Sequence, residues 1–410
     1  MIIKNAKFYQ GGKPVTKDIL IEKGKIAGIG KFKGDNAIDA KGLFALPGLI
    51  DPHVHLRDPG LTQKEDFRSG TRAALAGGFT TVLDMPNTKP PTITAAALKK
   101  KAEIAKRRAV CDYGLHFGAT KNNFNEVKKA KPNSMKLCMG ETTGNLLVDD
   151  VYSIWKHFAG FPKEKPLMIH AEDAETLKAM QKLKAGRAEA AEKIAVEKAR
   201  LLAEQTNRVV YFAHTTTFEA VHLAKIWDKS LVEVTPHHLF LSQEKDGKRL
   251  GKFAKVYPPL RSEAERRNLW GALYYVDTVG SDHAPHTPKE KRAGAAGFPG
   301  LETTLSLFLD AYNKGMVELP WIINRMAENP ARIFGLRNKG RIEKGYDGDI
   351  TLVDLDETWT VDPNKFESKC GWSPYEGFKL KGRVNKVILR GNLVVDNTDL
   401  VKEIKGKRVL

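Results

Sequence analysis

Two histidines at alternate positions, His53 and His55, follow an apolar run from Phe44 to Ile50, in the stretch Asp51-Pro-His-Val-His55. Successive side chains of a strand point to opposite faces, so these two imidazoles project the same way and can share one metal ion. Taken alone, a His-x-His pair is equally compatible with packing. Three more polar residues stand at matching places. His170 closes Pro166-Leu-Met-Ile-His170, His214 closes Val209-Val-Tyr-Phe-Ala-His214, and Asp282 follows Val276 to Ser281. Any one of these, taken singly, reads as a core histidine or a helix cap. Together, four imidazoles and one carboxylate at the ends of separate apolar runs suffice for a two-metal centre with open positions. Lys136 lies inside Ser134-Met-Lys-Leu-Cys-Met139. A charged amine in an apolar strand is unfavourable unless paired or neutralised. Spacing alone favours a lysine that reaches solvent or meets a carboxylate. The alternative is reaction with CO2 to give an anionic carbamate, which can hold two metals.

Such a centre needs strand ends that converge on one mouth. The middle of the chain supplies apolar runs ending near His55, Pro86, Phe117, Met139, His170, His214, Pro236 and Asp282. Between them lie amphipathic stretches: Glu65 to Ala76, Ala95 to Arg108, Asp149 to Phe158, Ala174 to Ala203 and Ser262 to Tyr275. Eight strand–helix units predict an α/β fold, a (β/α)8 TIM-like barrel, whose chemistry sits at the C-terminal strand ends. The flanks differ. Ile2 to Ala45, and the chain from about Arg341, read as short strands with Gly turns. These are expected to pair into a small composite β-sandwich built from both termini, giving residues 1–47 plus 343–410 as one domain and 48–342 as the barrel.

The 410 residues, 41% of them apolar, are ample for a buried core. No apolar stretch approaches the ~20 residues of a membrane span, and the first residues lack the pattern of a signal peptide. The 3 cysteines, Cys111, Cys138 and Cys370, are scattered and form neither a disulfide framework nor a zinc ribbon, which fits a reducing, cytoplasmic setting. The net charge of +18 is spread along the chain without any nucleic-acid-binding signature, so neither nucleic acid nor membrane is expected as a partner. A basic surface favours an anionic small-molecule substrate.

The stretches HVHLRDPG (His53 to Gly60), GGFTTVLDMPNTKPP (Gly77 to Pro91), IHAED (Ile169 to Asp173), EVTPHHLFLS (Glu233 to Ser242), GSDHAPHT (Gly280 to Thr287) and GFPGLET (Gly297 to Thr303) resemble the dihydroorotases of the amidohydrolase superfamily. The resemblance runs through the whole barrel. It implies that His53, His55 and Asp282 bind one zinc, that His170 and His214 bind a second, and that Lys136, carboxylated on its side-chain nitrogen, bridges the two. It implies that Arg57 and Asn87 hold a substrate carboxylate, joined by His286, and that Thr142, in Gly140 to Gly144, lies on a mobile loop over the substrate. Pro299 and Gly300 are further expected substrate contacts. The activity implied is the reversible cyclisation of N-carbamoyl-L-aspartate to (S)-dihydroorotate in de novo pyrimidine biosynthesis. A metal-activated hydroxide would act there, with Asp282 as general acid and base. A homodimer and an association with aspartate carbamoyltransferase are left open.

Two positions depart from the family pattern. Tyr257, in Val256 to Arg261, stands where many relatives have Asn near the pyrimidine ring. Ala213 precedes His214 where some animal relatives carry a cysteine that helps hold a third zinc, so two metals are expected. Glu233 reads as a buried structural carboxylate, His116 as a core residue, His157 and His222 as surface or core residues, and Cys138 as a small buried thiol. His237 and His238 belong to the site region without being ligands; one contacts substrate or orders the site. Allantoinases and hydantoinases share the metal ligands. Arg57, Asn87 and His286 argue against them, because these residues suit a carboxylate that a simple hydantoin lacks. A non-catalytic scaffold is disfavoured because every ligand position is filled.

Overall fold

Eight apolar runs become parallel strands: Leu49–Val54, Phe79–Asp84, Asp112–Leu115 with its continuation Phe117–Gly118, Met135–Cys138, Leu167–His170, Val210–Phe212, Ser230–Val234 and Thr278–Val279. In this computed structural model, which describes residues 1–142, 144 and 146–410, each run pairs with the next in parallel register. A parallel bridge from Val54 to His283 closes the ring. The strands are buried almost throughout, as parallel strands covered on both faces must be. The third strand is interrupted at His116. The ring Nε2–H donates to the Pro52 carbonyl at 3.0 Å, and Nδ1 accepts from Ser134 Oγ at 2.6 Å. His116 is thereby a satisfied core residue, as its sequence context predicts.

The helices that cover this ring begin where a short polar side chain can accept an orphan amide. Asp66, Thr94, Asp150, Asp173, Thr217 and Ser262 each accept from the backbone N–H three residues on. The single amphipathic stretch expected from Ala174 to Ala203 is two helices, Ala174–Lys182 and Glu189–Gln205. Lys184 and Gly186 take φ of 55° and 67°, left-handed values that break the helical hydrogen-bond ladder although the apolar periodicity continues across it. The segment between the helices carries Arg187, discussed below.

Strands from both flanks enter one sheet of nine strands. Its central seam is the antiparallel pairing of Phe44–Pro47 with the start of Ile350–Thr360, in which Ile350 faces Pro47 and Val353 faces Phe44. The apolar core beneath the sheet mixes Ile3, Phe8, Ile19 and Ile21 with Ile350, Leu352 and Ile388. The residues after the sheet return to the barrel: Gly406 N donates to Ala109 O at 2.9 Å and Val409 N to Tyr113 O at 2.8 Å. Among the described residues, no helix is long and apolar enough to cross a membrane.

A buried charge cluster joins the sheet to the barrel. Lys339 Nζ lies 2.7 Å from Asp112 Oδ2, 2.6 Å from Asp349 Oδ2 and 3.0 Å from Asp347 Oδ2. Asp112 also meets the Arg390 guanidinium and accepts from Lys407 N at 2.8 Å. The three carboxylates are close enough to share a metal ion, but the Lys339 ammonium already stands among them. Removing one partner of a buried ionic cluster strands the others, which costs about 3–5 kcal/mol. Lys339→Met is therefore expected to lower unfolding free energy by about that amount in urea titration; a change under ~1 kcal/mol would show the carboxylates to be satisfied without it.

Candidate active site

The expected ligands meet at the C-terminal end of the barrel. His53 ends within the first strand, His55 follows it, Lys136 lies in the fourth, His170 closes the fifth, and His214 and Asp282 lie just past the sixth and eighth. Three residues at this rim have left-handed backbone: Arg57 at φ 63°, His214 at 38° and Asp282 at 45°. Non-glycine residues pay of order 1–3 kcal/mol for such conformations, which persist where surrounding structure over-determines them.

Three of the four imidazoles are oriented by a partner behind them. His53 Nδ1–H donates to Glu233 Oε1 at 2.7 Å, leaving Nε2 with its lone pair toward Asp282 Oδ1, 3.4 Å away. His55 Nδ1–H donates to Asn87 Oδ1 at 2.6 Å, and its Nε2 lies 3.0 Å from the same Asp282 oxygen. Ligand atoms of His53, His55 and Asp282 all lie within 4.8 Å of one another. His170 Nε2–H donates to Glu172 Oε2 at 2.9 Å, so Nδ1 is its free nitrogen, and it faces His214 Nε2 at 3.0 Å. For His170 the tautomer follows from a carboxylate being an acceptor only; for His53 and His55 both ring nitrogens face acceptors, and the Nδ1–H form is the one that leaves Nε2 free to bind a metal. Burial holds His55 down to about 4 and pushes His170 and His214 below the ordinary imidazole range, so all three are neutral, the form that binds metal. For Asp282, burial opposes ionisation, but His53 and His55 outweigh it and keep the carboxyl well below its usual range.

Glu233, expected as a structural carboxylate, has a sharper role. It takes the His53 ring, the Tyr211 hydroxyl at 2.7 Å and the His214 backbone N–H at 2.9 Å. It thus sets one residue from each of the two expected ligand groups. Gly280 makes room for it: a Cβ there would stand 2.5 Å from Glu233 Oε2 and 3.0 Å from His53 Cβ.

Lys136 Nζ is buried and has no hydrogen-bond partner among the described residues. Burial lowers its pKa, favouring the neutral, nucleophilic amine. It lines a cavity of about 550 Å³, counting the open mouth, with His53, His55, His170, His214 and Asp282. Imidazole nitrogens, an aspartate and this amine around one cavity form a donor set that can hold a metal ion.

Arg57 lines the same cavity. Its Nη1 is buried without a hydrogen-bond partner. Its Nη2 lies 3.2 Å from His286 Nε2, and its Nε donates to Pro285 O at 3.3 Å. The Lys64 ammonium, 3.1 Å from His286 Nδ1, can only donate, so that nitrogen accepts; Nε2 then carries the proton and gives it to Ala296 O at 3.0 Å. Burial, with Arg57 and Lys64 beside it, keeps His286 neutral, down to about 2. In that tautomer neither terminal nitrogen of Arg57 has an acceptor among the described residues, although the residue lines the cavity.

Other expected contacts divide. Asn87, Thr142 and Tyr257 line the cavity. Pro299 and Gly300 do not; Gly300 N packs against His283 Nδ1 at 3.2 Å, while Ala296 and Gly297 of the same segment form the wall. Thr143, within the expected loop, lies outside the described residues. His238 takes a proton from Thr235 Oγ1 at 2.7 Å and donates to Pro258 O at 3.1 Å, which ties the Pro236–Phe240 helix to the segment bearing Tyr257. His237 packs edge-on against Phe298 and does not reach the cavity wall. Sequence reading missed Lys291, a buried amine that donates to Lys255 O at 2.7 Å, Ala295 O at 3.0 Å and Gly297 O at 3.0 Å. It pins the two segments that carry Val256, Tyr257, Ala296 and Gly297 to the wall. No local signal marks it, because its acceptors are backbone carbonyls.

A closed parallel barrel with imidazoles and an aspartate at its C-terminal mouth is an arrangement able to hold a metal ion. Residues 44–146 and 161–394 match the amidohydrolase family. The chain is 41% identical over 413 residues to a dihydroorotase of Pyrococcus abyssi, covering 98% of this chain and 97% of that one. It is 39% identical over 406 residues to a dihydroorotase of Methanothermobacter thermautotrophicus, covering 95% and 93%. Among solved structures it resembles an L-hydantoinase (dihydropyrimidinase) of Arthrobacter aurescens, with TM-score 0.94, 29% identity and coverage of 100% and 99%. A D-hydantoinase gives 0.91 at 28% identity, with coverage of 99% and 98%. The chain belongs to the amidohydrolase family, in its dihydroorotase branch.

Proposed function

We propose that this protein is a zinc-dependent dihydroorotase. In this reading it interconverts N-carbamoyl-L-aspartate and (S)-dihydroorotate with release or uptake of water, in de novo pyrimidine biosynthesis in the cytoplasm. Residues 48–342 carry the chemistry, and residues 1–47 with 343–410 form the composite unit beside them. The observation that carries the choice of substrate is the Arg57 guanidinium at the cavity, whose buried Nη1 meets no acceptor among the described residues. A guanidinium in that state calls for a carboxylate, which dihydroorotate has and a simple hydantoin lacks.

His53, His55 and Asp282 would hold one zinc and His170 with His214 the other, with carboxylated Lys136 between them. The amine nitrogen attacks CO2 and loses a proton, which leaves an anionic carbamate. Zinc held by these residues would supply a Lewis acid, able to lower the pKa of a bound water toward ~7 and to polarise a carbonyl. The chain's own residues do the rest. Arg57 fixes the substrate carboxylate and so the angle of the cyclic amide. Asp282 Oδ1, beside both His53 and His55, takes a proton as the ring amide is cleaved and delivers it to the leaving nitrogen; in cyclisation it moves the proton the other way. Met85, Leu146 and Val256 line the cavity with apolar surface that limits bulk water.

A comparison of dihydroorotate, allantoin and hydantoin as substrates tests the reading. Turnover of dihydroorotate alone is expected; turnover of allantoin or hydantoin alone would overturn it. Arg57→Met is expected to raise KM for dihydroorotate by ~10–100-fold, the equivalent of a charge-assisted hydrogen bond, with zinc content unchanged. An unaltered KM would remove the carboxylate clamp.

A further inference from the structure

Arg187 belongs to no stretch that points to chemistry. It lies in the break between the Ala174–Lys182 and Glu189–Gln205 helices. Its guanidinium nevertheless touches three parts of the site at once. Nε donates to Glu172 Oε1 at 3.1 Å, and Nη2 meets Glu172 Oε2, the oxygen that also holds His170 Nε2. Nη2 also donates to the Glu141 carbonyl at 3.0 Å, next to Thr142. The guanidinium carbon stands 3.9 Å from the ring centroid of Tyr257, close enough for stacking. Tyr257 lines the cavity, and Arg187 lies on its outer side, lining the adjoining groove.

We propose that Arg187 is a positioning residue that locks the pocket wall at Tyr257 and the turn at Glu141–Thr142 to the imidazole of His170. The inference rests on the reading of His170 as a zinc ligand and Tyr257 as a substrate contact. Glu172 is fully buried and sets the ring orientation of His170. A planar, five-donor group is needed to grip both Glu172 oxygens, a carbonyl and an aromatic face together; an ammonium cannot do so. Gly140 lets the turn approach: a Cβ there would stand 2.6 Å from Glu172 O. The backbone of Arg187 is itself held, since its carbonyl accepts from Arg261 Nη1 at 2.9 Å. One side chain therefore transmits the position of the zinc-holding ring to the wall against which substrate rests.

The test measures two quantities on purified holoenzyme: KM for dihydroorotate, and the rate at which a chromogenic chelator strips Zn2+. R187M is expected to raise KM and to speed zinc loss together, each about tenfold, the range seen when groups behind metal ligands are removed. R187K keeps the charge but not the fork or the stack, and is expected to show most of both effects. Y257L should raise KM while zinc loss stays within twofold, and E172Q should speed zinc loss. Should R187M fail to fold, R187K decides. A shift in one quantity with the other within twofold overturns the coupling, and so does a lowered Tm with neither moved. If the wild-type protein does not turn over dihydroorotate, the functional reading falls. Zinc release from the Arg187 variants then decides the link to His170 alone, and an unchanged rate overturns it.

Discussion

Lys136→Met folds at least as well as the wild-type apoprotein and turns over no substrate. The expectation follows from the amine's surroundings. Its Nζ is buried, lacks a hydrogen-bond partner among the described residues and is pushed toward neutrality by burial. A buried polar atom without a partner costs about 1–3 kcal/mol, and an apolar isostere removes that cost. Structure alone would therefore discard this lysine. In the proposed function it is kept, because a carbamate on Nζ would supply an anion to the metal site. Without that bridge the lowering of the pKa of a bound water would be lost, and turnover should fall by more than ~10³-fold. Thermal melting of the zinc-free protein and a steady-state assay check both halves. Lys136→Ala leaves a gap beside the imidazoles, and partial return of activity with added formate or acetate is expected there. Wild-type turnover in either variant would remove the bridge.

Asp282→Asn should retain much of its zinc and lose ~10²–10⁴-fold in kcat, the usual worth of a positioned acid and base. The amide oxygen can still ligate, but the side chain can no longer carry a proton between substrate and water. The surroundings of Asp282 make the substitution a clean one. Its Oδ1 faces both ring nitrogens, and its backbone holds a left-handed φ of 45°, a value that asparagine tolerates well. Elemental analysis beside kcat separates the two functions. Near-normal kcat would exclude the proton-carrying role, and complete zinc loss would show the residue to be a ligand before anything else.

The candidate ligands were legible because barrel chemistry has a simple grammar. Strand residues alternate, so His53 and His55 had to share a face, and His170, His214 and Asp282 each ended an apolar run. The groups that aim those ligands were much less legible. Glu233 read as a lone buried acid, yet its two oxygens serve His53, His214 and Tyr211, contacts that span up to 180 residues of sequence. Arg187 was hidden inside what reads as one long helix, because apolar periodicity is blind to the two left-handed residues that end it. Lys291 was invisible for a different reason: it binds carbonyls, which every residue has. Pro299 and Gly300 were expected beside the substrate, but Gly300 faces His283 and the chain reaches the wall two or three residues earlier, at Ala296 and Gly297. The interruption at His116 also escaped a pattern that tracks apolar length and not ladder continuity.

The seam between Phe44–Pro47 and the Ile350–Val353 stretch has a consequence for how the molecule comes apart. Everything from Leu49 to Asp349 hangs between two strands zipped to each other, like a loop of rope tied at its neck. Cutting the backbone at an exposed barrel turn would open the loop without untying the knot. Both pieces would stay fastened through the sheet and through the salt-linked Lys339, so damage at the rim need not scatter the ligands gathered above it.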